Sequence, residues 1–219
     1  MNSPLLQLLV LAGIAVFLIL RLKSVLGTRE GFEKPPMPRG VEDDRPRRDF
    51  EVIDGGPDHD IEDHVDAGSS EAAALADMKR VEPSFSLSEF MQGARGAYEM
   101  ILMGFERGDL ADIKPFLSEE VYETFAEVVE AREAQGLTIE AEFIGVRELS
   151  VYDATFDADA NYGEITMKFI GELTVAVRDS AGEIIEGSTT SIKKQKDIWT
   201  FGRNMGSDDP NWLLVATGE

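Results

Sequence analysis

The 219 residues contain no cysteine. That absence excludes disulfides, thiolate metal sites and cysteine nucleophiles together. Histidine is almost as scarce, since His59 and His64 are the only two and both precede Glu82. Everything after Glu82 therefore lacks the side chain most often used for general acid–base work and metal ligation. That part also has no glycine-rich phosphate loop. Basic residues are few: 21 stand against 42 acidic ones, a formal net charge of −21. The shortage runs through the chain, with 10 basic against 16 acidic residues through Glu82 and 11 against 26 beyond it. Nucleic-acid binding needs a basic footprint, so this class of partner is excluded. An anionic bilayer surface would repel the bulk of the domain for the same reason.

Charge is absent altogether from Pro4 to Leu20, where Gln7 is the only strongly polar side chain. As a helix this run spans about 26 Å against a hydrocarbon core of roughly 30 Å. Leu22, Val25 and Leu26 extend it, while Arg21 and Lys23 can snorkel to the headgroups. A cleaved signal peptide carries its positive charge before the apolar run and a small-x-small site after it. Here Arg21, Lys23 and Arg29 follow the run and no such site does. The reading is a retained single-pass anchor over residues 1–27. The positive-inside rule then puts the N-terminus outside and everything after Arg21 in the cytoplasm.

Residues 28–82 show no sustained period. Pro35, Pro36 and Pro38 favour polyproline II, and Asp49 to Asp77 carries acidic charge only, apart from the histidines. Too few apolar groups are present to offset the ordering entropy, so the expectation is a disordered acidic linker. Ala72 to Val81 could form a short helical lead-in. His59 and His64 lie five apart in a flexible acidic tract that supplies no second shell, which favours a solvated tract over a metal site.

The domain is expected over residues 83–219. Ser86 with Glu89 is a capping box. Leu87, Phe90, Met91, Ala94, Ala97, Tyr98, Ile101, Leu102 and Phe105 then keep one apolar helical face up to Gly108-Asp109. Asp109 opens a short helical segment that Pro115 interrupts. Ser118 caps a helix burying Val121, Phe125, Val128 and Val129, and Gly136 ends it. Beyond Leu137 the period changes to two: a strand over Ile139, Ala141 and Phe143, and another starting at Val151-Tyr152. A long strand from Glu164 to Arg178 turns at Asp179–Gly182 and returns as Glu183 to Lys194. A last strand holds Ile198 to Phe201. Helices first and hairpins second indicate α+β with an antiparallel sheet.

Several stretches, in order behind the apolar run, carry a resemblance. They are Leu26-Gly27-Thr28-Arg29; Phe90-Met91-Gln92-Gly93-Ala94-Arg95-Gly96-Ala97-Tyr98; Phe105-Glu106-Arg107-Gly108-Asp109; Phe116-Leu117; Val121 to Phe125 with Arg132; Trp199-Thr200-Phe201-Gly202-Arg203; and Asp209-Pro210-Asn211-Trp212-Leu213-Leu214-Val215. The chain resembles the translocase-of-inner-membrane subunit 44 family, in particular its shorter alphaproteobacterial members of the TimA type. The resemblance implies a cone-shaped, nuclear-transport-factor-2-like domain in which helices wrap a curved sheet around an apolar cavity. It implies a membrane-bound adaptor in protein transport that works with a chaperone or a membrane-protein partner and contacts phospholipid. The chain departs from the mitochondrial pattern in having a short acidic linker in place of a long charged N-terminal region, so the membrane-proximal scaffold role is the part carried over and chaperone recruitment is left open.

The same cone fold hosts isomerases and dehydratases, which bury acid–base side chains in the cavity. A membrane-tethered enzyme acting on a small apolar substrate is therefore the alternative, and a buried, hydrogen-bonded carboxylate deep in the cavity would favour it. Asp153, Asp157 and Tyr162 could form an acid–base pair, but they fall in a polar, turn-like stretch. No catalytic, cofactor-binding or metal-ligating residue is assigned. Phe90, Tyr98, Phe105, Phe125, Trp199 and Phe201 are the candidate pocket lining. Arg203 and Trp212 are the candidate partner surface, set against the plainer reading of an aromatic–arginine clasp on the C-terminal strand. Lys193, Lys194 and Lys196, the one basic patch, read as a solvated hairpin face or a headgroup contact.

Overall fold

The computed structural model describes residues 58–218. The expected anchor, and the linker as far as residue 57, lie outside the described residues. Among the described residues no helix is long and apolar enough to cross a membrane.

The described chain opens with a short helix, α1 (His59–Glu62), and then α2 (Ser70–Val81). Ser69 caps α2 by accepting the Ala72 amide at 3.1 Å. Both helices bury apolar side chains: Ile61 from α1, and Leu75 and Met78 from α2, the last two fully enclosed. The expected disordered linker is thus corrected over residues 58–82. Composition there is acidic, but three well-placed apolar side chains and a set of polar anchors fasten it to the domain. Asp60 is the main anchor. Its carboxylate accepts the amides of Leu87 (2.8 Å) and Ser88 (2.9 Å) and the Lys79 ammonium (2.9 Å).

Helix α3 (Leu87–Arg107) starts at the Ser86 cap, whose hydroxyl accepts the Glu89 amide at 3.3 Å, and ends at Gly108 with φ 80°. Its buried face includes Phe90, Ala94, Tyr98, Ile101 and Leu102, as the periodicity requires. Helix α4 (Leu110–Ile113) leads into a 3₁₀ turn, Lys114–Phe116; Asp109 precedes α4 without making a side-chain cap. Helix α5 (Glu119–Ala134) is capped by Ser118 and buries Val121, Phe125 and Val129.

Four antiparallel strands follow in the order β1 (Thr138–Asp157), β2 (Tyr162–Arg178), β3 (Ile184–Asn204) and β4 (Leu213–Gly218). Two expected breaks are absent. The runs at Ile139 and Val151 are one strand, because register shifts at Phe143/Gly145, Val146/Glu148 and Val151/Asp153 absorb the change of phase. Glu183–Lys194 and Ile198–Phe201 likewise join into β3, while β4 pairs with Ile198–Gly202 and lies past the last strand expected. Asp157 ends β1 and accepts the Asp159 and Ala160 amides, so the turn expected near these acids is observed. The architecture is α+β. The inward faces of β2 and β3 present Ile165, Met167, Phe169, Leu173, Trp199 and Phe201, and the sheet packs with α2 and α3 along β1.

Candidate functional site

A half-open cavity of about 480 Å³ lies between the first half of α3, the α2–α3 connection and the β3–β4 loop. Phe85, Phe90, Phe116, Phe201 and Trp212 contribute rings to its lining, and α3 contributes the small residues Gly93, Ala94 and Ala97. A Cβ placed on Gly93 would meet nothing within 4 Å. The rings are arranged edge-on: Phe90 and Trp212 have centroids 4.7 Å apart at 61°, and Phe90 and Phe201 are 6.0 Å apart at 80°. Such tilted pairs are the favourable aromatic geometry.

Charged side chains line the cavity too: Glu82, Glu89 and Arg203. Arg203, at the end of β3, is 9% exposed and also lines it. Its Nη2 donates to the Glu82 carboxylate, its Nη1 donates to the Pro210 carbonyl at 3.1 Å, and its Cζ lies 5.4 Å from the centre of the Trp212 ring. Glu82 also accepts the Gly206 amide at 2.9 Å. The Arg203 hydrogen bond, followed by that amide, outweighs burial and holds the Glu82 carboxyl below the usual glutamate range. The guanidinium is not fully satisfied, because Arg203 Nε is buried without an acceptor. The clasp of arginine and tryptophan and the cavity wall are therefore the same structure.

Of the expected pocket residues, Phe90 and Phe201 line this cavity, and so do Arg203 and Trp212. Tyr98 and Trp199 belong to solid core instead. The Tyr98 ring stacks on Phe169 at 4.3 Å and 5°, contacts Trp199 at 4.8 Å, and is wholly enclosed. Phe105 and Phe125 pack on each other at 4.4 Å away from this cavity, with the Arg132 guanidinium 4.5 Å from the Phe105 ring.

The core also holds a polar group that the sequence did not announce. The Tyr98 hydroxyl donates to Asp197 at 2.5 Å, and Gln195 donates to the other Asp197 oxygen at 3.2 Å. Burial first, then the hydrogen bond to Asp197 and the charge of that carboxylate, push the Tyr98 phenol well above its ordinary value. Glu106 is raised by burial, which prevails over the pull of Arg132 and Lys193. His64 faces the Ser88 hydroxyl at 3.3 Å. Glu82 and Phe85 were also missed as site residues. Their only sequence signal is position, directly before the α3 capping box.

An α+β domain of this order, with an aromatic cavity beside its first long helix, is the class defined by fold and site. A family model described as the Tim44-like domain matches residues 71–219. The chain belongs to the Tim44-like domain family. Over 177 residues it is 26% identical to the mitochondrial import inner membrane translocase subunit TIM44-1 of Arabidopsis thaliana, covering 77% of this chain and 37% of that protein. Over 145 residues it is 22% identical to the human mitochondrial import inner membrane translocase subunit TIM44, covering 64% and 31%. The chain thus spans about a third of the length of these two relatives. Among solved structures, it is similar to the intermembrane space region of chloroplast protein ARC6, with a TM-score of 0.42 at 12% identity over 58% of this chain and 94% of that one. That likeness carries no functional argument.

Proposed function

We propose that the chain is a membrane-associated adaptor of protein transport that presents its Tim44-like domain to a membrane-protein partner. The observation carrying this reading is the family match over residues 71–219, joined by the names of both relatives, which are inner-membrane translocase subunits. The uncharged run Pro4–Leu20 and its basic flank support a single-pass anchor, with the N-terminus outside and the domain in the cytoplasm. The cone-like form implied by the resemblance agrees with helices preceding a four-stranded antiparallel sheet.

The aromatic cavity gives this adaptor a place to receive a partner. Trp212 and the buried Arg203 are residue types that dominate binding energy at protein interfaces, and four phenylalanine rings share the lining with them. Glu82, Ser84, Ser86, Glu89 and Asn211 share the lining, which makes the cavity a poor container for a bare acyl chain. Phospholipid contact belongs to the membrane-facing segment in this reading. Catalysis is disfavoured. The buried carboxylate of Asp197 is not among the cavity-lining groups, and its partner Tyr98 has no exposed surface.

The test is photo-crosslinking in native membranes from a reactive side chain placed at Trp212, followed by mass spectrometry. A membrane protein or its associated transport factor should be captured there, and far less from a probe at Glu164 on the sheet. Equal capture from both sites would remove the adaptor reading.

A further inference from the structure

Arg203 is held in an unfinished way. Nη2 and Nε lie on the same edge of a guanidinium, the edge that a carboxylate grips with both oxygens. Glu82 engages that edge through Oε2 alone and shares the same oxygen with the Gly206 amide. Nε, attached to the same Cζ, is buried with no acceptor. A buried donor without an acceptor is costly, and among the described residues no other buried side-chain nitrogen or oxygen is in this condition. The arginine shares the cavity lining with aromatic rings, with the small residues of α3, and with the polar Glu82, Ser84, Ser86, Glu89 and Asn211.

We propose that this cavity recognises the C-terminal end of a partner polypeptide, with the terminal carboxylate on Arg203 and an apolar last side chain among Phe85, Phe90 and Trp212. Glu82 is the resident stand-in for that carboxylate. The incoming carboxylate displaces Glu82, grips Nη2 and Nε together and satisfies the orphaned donor. Glu82 keeps the Gly206 amide. The preceding peptide groups of the partner meet Ser84, Ser86 and Asn211, which offer donors and acceptors to a backbone and nothing useful to a hydrocarbon chain. Gly93 leaves the floor open for the terminal side chain.

This inference rests on the adaptor reading and adds the chemistry of the partner's end. Calorimetric titration of the purified full chain tests it with three probes: a short glycine–serine peptide ending in phenylalanine, the same peptide as its C-terminal amide, and dodecanoate. The free acid should bind with a Kd at least about tenfold below that of the amide, the scale of one charge-assisted pair. Glu82→Gln removes the competing carboxylate and should tighten acid binding about tenfold, a gain that a purely structural ion pair would not produce. Gly93→Leu fills open space on a helix, so it should abolish binding without lowering the melting temperature. Equal binding of acid and amide, no binding to wild type or E82Q, or dodecanoate binding in preference to the peptide would each overturn the proposal. If the peptides fail while crosslinking at Trp212 still captures a partner, the adaptor reading survives and carboxylate recognition falls.

Discussion

Gly171 lies directly under the hydroxyl of Tyr98, so that a Cβ built on the glycine would stand 2.7 Å from the phenolic oxygen. The missing side chain on β2 is what lets Tyr98 lie flat against Phe169 and still reach Asp197. Gly171→Ala should therefore cost about 1–3 kcal/mol through overpacking. Tyr98→Phe removes one donor from a buried carboxylate and should cost about 1–3 kcal/mol. Because both act on one contact, the double variant should lose less than the two separate losses combined. Urea denaturation of the three proteins checks this, and strict additivity would show that glycine and hydroxyl are not coupled.

Truncation separates core from half-exposed ring. Tyr98→Ala should lose at least about 3–5 kcal/mol, the cost of emptying a fully enclosed aromatic site. Phe105→Ala should lose less, since that ring is only half-buried and its main contacts are Phe125 and Arg132. Denaturant melts of the pair give the order directly; equal losses would mean that Phe105 is as enclosed as Tyr98.

Asp60 makes the attachment of the N-terminal helices acid-sensitive. Burial works against its ionisation, but hydrogen bonds from Ser88, Lys79 and Leu87 prevail and hold the carboxyl far below the usual aspartate range. A depressed folded-state value stabilises above the unfolded value, near 4, and the benefit fades as pH falls from there towards the folded value. Asp60→Asn should therefore lower the melting temperature at pH 7, with the gap to wild type narrowing steadily below about pH 4. A gap that stayed constant down to pH 2 would assign the effect to packing.

The fold boundary lies before residue 82. A chain beginning at Pro83 loses Leu75 and Met78, each fully buried and each worth roughly 1.5–3 kcal/mol, together with the Glu82 partner of Arg203. Brief proteolysis of the full chain should leave a resistant core starting near Asp58. Recombinant 58–219 should melt cooperatively, whereas 83–219 should be much less stable or aggregate. A stable, cooperative 83–219 fragment would return α2 to the linker.

Breaking the buried ion pair is asymmetric. Arg203→Ala leaves Glu82 with one amide and an empty arginine site, and should cost about 3–5 kcal/mol. Adding Glu82→Gln should recover a substantial part of that loss. Thermal and chemical melts of the single and double variants decide it, and no recovery would show that arginine's packing on Trp212 dominates.

What could be read from the chain was what local chemistry dictates. Ser86, Gly108, Ser118 and Gly136 punctuate helices through neighbouring amides and a permitted left-handed turn, and the apolar spacing of α3 names its buried face. What escaped was set at long range. Asp60 looks like any acid in an acidic run until the amides of Leu87 and Ser88 are brought to it. Strand β1 looked interrupted because bulges change the alternation without ending the pairing, and β3 because the polar run Gln195-Lys196-Asp197 hides a pairing that continues unbroken with Gly171, Ile170 and Phe169. At the site, the aromatic stripe of α3 divides between cavity and core according to which strand residue it meets. Phe90 meets Phe201 and Trp212, whereas Tyr98 meets Phe169 and Trp199. Nothing in the helical period alone distinguishes these neighbours.

Glu82 and Arg203 are separated by 121 positions, and Met78 seats its sulfur and methyl against Gly163 on β2. During synthesis neither contact can form until the sheet has emerged from the ribosome. Helix α2 must therefore wait, with Leu75 and Met78 exposed to water, while most of the domain is still being made. Strands β1 and β2 cover this helix, so a stalled or shortened nascent chain ending before β2 would display an apolar helix face to any chaperone nearby.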